Sequence, residues 1–265
     1  MKLLQGVIAS VAILFGWASL LAAHEFWIEP KKFVLKPGGT LKANLQLGQD
    51  FRGSTYPFLS SNFRRFDIYQ NGKTKAYKGT EGDLPAVNLR PVKAGLLIMA
   101  YESTATRLTF QQPDLFKKYT DYEGLESFYT AHVAAGLPLT GFAERYERNS
   151  KALVQVGPYN GGKDRRVGLP AEFVALNSPY APGTTQVQLQ MLFRGKPVPN
   201  WAVNVFTRKG GTKLTRHQTN GQGVVTVPFP KGATVMVNAV YMQRTKESEG
   251  ILYRSWWPNI TFGSQ

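Results

Sequence analysis

Along most of this chain apolar and polar positions alternate in short runs, the pattern of half-buried β-strands rather than of amphipathic helices. Phe26 to Pro30 is a short apolar strand closed by proline, and Thr40 to Leu47 alternates. Ala86 to Leu89 is short, and Leu96 to Glu102 is apolar almost throughout. Turn residues separate these runs: Lys36-Pro-Gly-Gly39, Pro91-Val-Lys-Ala-Gly95, and Asn71-Gly72 between the arms 64–70 and 73–77. An Asn-Gly pair between strand-like arms predicts a tight hairpin. Short strands at this spacing predict an antiparallel sandwich.

The pattern then changes. Residues 113–118, 122–135 and 142–151 read as helical. Asp121 is placed to cap the second of these, whose apolar side carries Leu125, Phe128 and Tyr129 with His132 further along. Gly136-Leu-Pro138 stops it. Such a segment between strands predicts an insertion laid over one end or edge of the sandwich. A strand resumes at Ala152 to Val156. Residues 157–167 are polar and turn-rich and read as a linker. Beyond it lie strand patterns at 172–176, 185–193, 201–207, 213–218, 224–228, 234–243 and 253–262. Seven strands in about a hundred residues suit one immunoglobulin- or prealbumin-like sandwich. The expected fold is therefore all-β: two tandem antiparallel β-sandwiches, residues 24–156 with the helical insert and residues 168–265.

The first 23 residues add a different element. Lys2, an apolar centre from Val7 to Leu21 and the small pair Ala22-Ala23 have the form of a secretory signal peptide. Cleavage after Ala23 would expose His24 as the first residue of an exported protein, periplasmic or secreted. No later run is long and apolar enough to span a bilayer, so stable membrane insertion after processing is not expected. The formal charge of +15 makes an anion-attracting surface. Its lysines and arginines are scattered, which argues against nucleic acid as a partner. The absence of cysteine removes disulfides and thiolate metal sites from consideration.

With no cysteine and three histidines, a tight transition-metal site must draw on His24, His132 and His217, on carboxylates and on the new terminal amine. The amine and Nδ1 of a terminal histidine close a six-membered chelate. Their ordinary pKa values, about 7.7–8.0 and about 6.5, mean that a divalent metal displaces little proton at neutral pH. One further imidazole, His132 first or His217 second, would complete a histidine brace. Nitrogen sites of this kind suit Ni(II) and Cu(II). Glu25 and Glu29 read as solvated strand-edge carboxylates. No acid/base carboxylate pair, nucleophile elbow, His-Glu-x-x-His or phosphate loop is apparent.

Several stretches resemble a family of exported proteins, formerly a domain-of-unknown-function group, associated with nickel and cobalt uptake. They are Ala23-His-Glu-Phe-Trp-Ile-Glu-Pro30, Glu147 to Gly157, Gly168 to Tyr180, Gly195 to Val203 and Thr219 to Gly223. Together they cover nearly the whole mature chain in order. The resemblance implies a periplasmic metal-binding protein, not an enzyme, that helps deliver Ni(II) or Co(II) to a membrane transporter, with His24 the matching site residue. Two other classes stay open at this stage. One is a copper-brace enzyme that cleaves polysaccharide oxidatively; the other is an adhesive sandwich without metal.

Overall fold

The computed structural model describes residues 25–245 and 250–264. The leader and His24 lie outside the described residues. The first half of the chain forms β1 (Glu25–Pro30), β2 (Val34–Leu35), β3 (Leu41–Gln49), β4 (Arg52–Tyr56), β5 (Phe63–Gln70), β6 (Lys73–Ala76), β7 (Val87–Leu89), β8 (Gly95–Ser103) and β9 (Thr106–Phe110). Helices α1 (Leu115–Glu123) and α2 (Glu126–Ala134) follow, then the long strand β10 (Phe142–Val156). The second half forms β11 (Ala171–Ala175), β12 (Gln186–Phe193), β13 (Lys196–Pro197), β14 (Ala202–Arg208), β15 (Thr212–Gln218), β16 (Val224–Pro228), β17 (Thr234–Asn238), β18 (Tyr241–Arg244) and β19 (Ile251–Gly263).

The molecule is an all-β sandwich with a small helical insertion, and its two halves share a sheet. Strands run β15-β14-β17-β19-β10-β8-β5-β6 across one eleven-stranded sheet, and β10 and β19 pair in parallel where the halves meet. A four-stranded sheet of β1, β3, β4 and β7 contributes to one core, and another of β11, β12, β13 and β16 to a second. Strand β8 shows how the shared sheet serves both. Leu97, Met99 and Tyr101 enter the first-half core, whereas Leu96, Ile98 and Ala100 enter the second. A strand covered on both faces loses its polar alternation, which is why residues 96–102 are apolar almost throughout. The Asn71-Gly72 hairpin forms as the sequence predicts, with φ of 50° and 74° at the two turn residues.

Strands β4 and β9 are not read from the sequence, and two further elements differ from that reading. Residues 142–151 are strand, not helix, and continue through Val156 as β10. Pairing with β19, β9 and β8 demands an extended chain there, and tertiary pairing overrides a weak local preference. Asp121 lies inside α1 rather than at the start of a helix. The break comes at Gly124 (φ 73°), whose N–H reaches the Thr120 carbonyl. A side chain at Gly124 would also meet Ala202 Cβ at 2.8 Å, so backbone conformation and close approach both require glycine.

Residues 157–167 cross between sheets, and their polar centre is pinned in the interior. Lys151 of β10 is fully buried; its Nζ lies 3.0 Å from Asp164 Oδ1 and 3.6 Å from Glu172 Oε2. The same ammonium donates to the carbonyls of Arg165 (3.0 Å) and Phe173 (2.9 Å). Asp164 in turn accepts from the amides of Arg165 and Ala175 at 2.8 Å. Removing one member of a buried pair strands the other charge in a poorly solvating interior. Lys151→Ala is expected to lower unfolding free energy by about 3–5 kcal/mol. Urea denaturation checks this, and a loss under about 1 kcal/mol, the worth of an exposed pair, would contradict it.

Candidate functional site

Strand β1 begins at Glu25, the residue after His24. Its placement follows from three constraints. Glu25 pairs with Gly48 in the β1–β3 register. The Ile28 amide donates to Ser150 Oγ at 3.2 Å, and Thr261 Oγ1 donates to the Ile28 carbonyl at 2.7 Å. The Asn259 side-chain amide donates to the Phe26 carbonyl. Polar side chains of β10 and β19 therefore clamp β1 over the shared sheet, and Glu25 is carried inward with its strand. It is fully buried rather than a solvated strand-edge residue.

Around Glu25 the fold gathers carboxylates from distant parts of the chain. Tyr122 Oη lies 3.0 Å from both Glu25 Oε1 and Asp50 Oδ1. A phenol has one proton to donate, so Tyr122 serves Glu25 and Asp50 in turn rather than both at once. Burial raises the Glu25 pKa from 4.5 to about 7, against the lowering effect of hydrogen bonds from its own backbone and Tyr122; the Asp50 charge adds to the rise. Glu123, the last residue of α1, is buried beside it. Desolvation first, then the charge on Glu25, holds its carboxyl well above the ordinary range, and Arg216 and an Asn204 hydrogen bond of 3.2 Å oppose this. Glu144 of β10 adds a further repulsive charge to Glu123. It accepts from Tyr119 Oη at 3.1 Å and from Ser255 Oγ, and burial lifts its pKa to about 7. Among the described residues, Glu25 Oε2, Glu123 Oε1 and Glu144 Oε2 are buried without a hydrogen-bond partner. Buried acceptors left in this state are costly.

The walls of the cluster are built with equal care. Arg216 of β15 donates to the Asp121 carbonyl (3.0 Å), to the Tyr122 carbonyl and to Asn204 Oδ1 (3.2 Å), which satisfies carbonyls at the end of α1. Asp50 and Phe51 form the two-residue turn from β3 to β4 with φ of 55° and 58°, a left-handed pair without glycine. Such a turn costs roughly 1–2 kcal/mol per residue. Tertiary contacts hold it: Phe51 is buried edge-on against Trp27 at 5.3 Å, and the Arg208 guanidinium lies 4.3 Å from its ring centroid.

The other two histidines lie apart from this cluster, with their own partners. His132 of α2 is buried among Phe116, Phe142 and Tyr253. Its Nε2 is 2.9 Å from the Pro138 carbonyl, which can only accept, so Nε2 carries the proton; Nδ1 then accepts from Tyr253 Oη at 2.9 Å. Both nitrogens are engaged within the protein. His217, on the outermost strand β15 and half-buried, has Nε2 2.9 Å from Thr215 Oγ1. Among the described residues no hydrogen bond joins His132 to His217. Among the described residues no group of three or more His, Cys, Asp or Glu side chains is arranged to hold a metal ion.

The family model described as Domain of unknown function (DUF4198) matches residues 21–243, and the chain belongs to that family. No curated protein matches the chain. Among solved structures it is similar to the D0-D1 domain of Intimin at 11% identity, over 89% of this chain and 97% of that one, with a TM-score of 0.22. Among the described residues no helix is long and apolar enough to cross a membrane.

The raised carboxyls make a pH prediction. A folded pKa near 7 against an ordinary 4.5 means that the folded state holds a proton the unfolded state has released. Stability contributed by Glu144 is therefore fully present below pH 4.5 and is lost as pH rises toward 7, by up to about 1.4 kcal/mol per pH unit. Glu144→Gln removes this term. The stability of the variant relative to the parent should rise across that window and then level off, as followed by urea midpoints from pH 4 to 8. A difference that does not change with pH would show that Glu144 titrates normally.

Proposed function

We propose that the mature protein is a periplasmic transition-metal-binding protein that assists metal uptake without turnover. The ion is Ni(II) or Co(II), with Cu(II) also suited to the nitrogen donors, held at the terminus created by removal of residues 1–23. The observation that carries this reading is Glu25, the neighbour of that terminus, buried beside Glu123 with a carboxylate oxygen on each left unpartnered. A residue attached to Glu25 has its Cα about 3.8 Å away. The chelating amine and imidazole of His24 would thus join the chain beside an oxygen-rich interior whose carboxyls burial keeps from ionising readily. A divalent cation would displace protons from these carboxyls and favour their ionised form, and mixed nitrogen and oxygen donors suit Ni(II) and Cu(II).

The partners of His132 and His217 move the remaining donors to the carboxylates. His132 could bind a metal only by giving up its contact with Tyr253 or with the Pro138 carbonyl. His132→Phe is therefore expected to leave metal affinity unchanged while lowering stability. The family match is to a group without an assigned activity, and it neither adds to nor opposes this reading. Delivery to a membrane transporter is the role proposed for the loaded protein, whose net positive charge favours approach to an anionic membrane face.

Calorimetric titration of Ni(II), Co(II) and Cu(II) into protein beginning at His24 tests the proposal. Binding with Kd at or below about 1 μM is expected. One extra residue before His24 should weaken it more than tenfold by blocking the amine, and Glu123→Gln should weaken it to a smaller degree. Failure of all three metals to bind at micromolar concentration, or equal affinity with the extra residue present, would overturn it.

A further inference from the structure

A second site lies on the opposite side of the shared sheet. Strand β19 alternates there. Ser255 and Trp257 face the carboxylate cluster, where Trp257 stacks on Tyr119 at 5.8 Å and donates to Ser255 Oγ at 2.9 Å. Arg254 and Trp256 face away, into a cleft of about 510 Å³ at the seam between the halves. Four arginines line it: Arg64 from β5, Arg254 from β19, Arg166 from the crossing segment and Arg194 from the turn after β12. Two carboxylates, Glu102 and Glu147, share the lining.

The charges do not cancel. Glu147 is held by Arg64 at 3.1 Å and by Arg254 at 3.4 Å, so one carboxylate serves two guanidiniums. Glu102 is shared between Arg64 at 3.7 Å and Arg65, which lies outside the cleft, at 3.6 Å. Among the described residues Arg166 reaches only Glu172, at 3.9 Å. That carboxylate already accepts from the amides of Val167 (2.9 Å) and Gly168 (3.0 Å) and lies 3.6 Å from Lys151. Among the described residues Arg194 has no carboxylate partner. Its guanidinium lies instead 5.2 Å from the Phe193 ring centroid and 5.7 Å from that of Trp256. Arg254 lies 5.0 Å from Trp256 as well.

The ring contacts position Arg194 without using up its donors. An aromatic ring holds the flat face of a guanidinium and leaves the N–H edges available to an oxyanion. Gly195 does the same for Arg166: a Cβ there would fall 2.0 Å from Arg166 Nη2, so the guanidinium lies directly against the turn that carries Arg194. Two under-compensated cations are thus seated at one turn, next to a third that shares its counter-ion. The volume falls in the range of small-molecule sites.

We propose that this arginine-lined seam cleft binds a small oxyanion bearing two or more negative charges, a polycarboxylate or a phosphate. Paired oxygens of either group match the bidentate donor edge of arginine. The proposal is independent of metal binding at the terminus, because the two sites lie on opposite faces of β19.

The test uses the mature protein, stripped of metal with EDTA and dialysed, at constant ionic strength near that of about 0.15 M salt to screen diffuse attraction. Citrate and inorganic phosphate are titrated separately by calorimetry. Saturable one-site binding with Kd below about 1 mM is expected for at least one of them. Tighter binding of citrate would assign a polycarboxylate, and tighter binding of phosphate a phosphate group. Arg166→Ala with Arg194→Ala should weaken binding tenfold or more with an unchanged urea midpoint. Arg194→Lys, which keeps the charge but loses the fork, should fold normally and still lose affinity, so the proposal stays testable if the double variant unfolds. Absence of saturation by either probe at about 10 mM, or undiminished binding by both variants, would overturn it.

Discussion

The Lys151 ammonium is the interaction on which the join between the two halves depends. A lysine buried to this degree is tolerated only if its charge and all three N–H donors are matched, because an isolated ammonium in a protein interior is severely penalised. Here Asp164 comes from the crossing segment, the Phe173 carbonyl from β11 and Glu172 from the same strand. Only one placement of β11 against β10 brings these acceptors together. The side of β10 that carries Lys151 also carries Asn149, which accepts from the Ala171 amide at 3.2 Å, and Leu153, which enters the second-half core. One strand face thus passes from hydrogen bond to ion pair to apolar packing within five residues. The crossing segment is fixed to that face by charge rather than by length.

The strand pattern was readable at most strands with one wet face or a turn marked by Asn-Gly or Pro-Gly, but it missed β4 and β9. It failed at β10 for an identifiable reason. Glu144, Glu147, Asn149, Ser150 and Lys151 are all buried, each with a partner, so polar residues occupy positions that a hydrophobic pattern assigns to solvent. Strands β2 and β13 are two residues long and leave little periodic signal. Glu25 looked like a surface carboxylate for a related reason. Its burial follows from the docking of β1 on β10 and β19, and no neighbour in the sequence announces that. Glu25, Glu123 and Glu144 come from a strand, a helix end and a second strand, and topology alone brings them together. The four arginines of the cleft are just as dispersed. The scattering that argued against a nucleic-acid face also hid a local concentration of charge. Histidine scarcity directed attention to three residues; the structure gives His132 and His217 partners of their own, while His24 lies outside the described residues.

The alternation of β19 gives the molecule an electrostatic polarity. Adjacent tryptophans, 256 and 257, stand in opposite environments: one among guanidiniums, the other beside buried carboxyls. The sheet between them is a single backbone thick. A one-residue slip of β19 would carry Arg254 away from Glu147 and Ser255 away from Glu144, so that groups on both sides would lose their present partners. The two charged sites therefore discriminate against the wrong register, in addition to any ligand they take.

Strand β19 is late in the chain and central in the sheet. Its parallel partner β10 lies about a hundred residues earlier, a separation typical of slow, non-local pairing. Until residues 251–263 are available, β10 and β17 each present an unpaired edge to solvent, with backbone donors and acceptors unmet. Completion of the shared sheet thus waits for β19, and the order of the strands along the chain sets that delay.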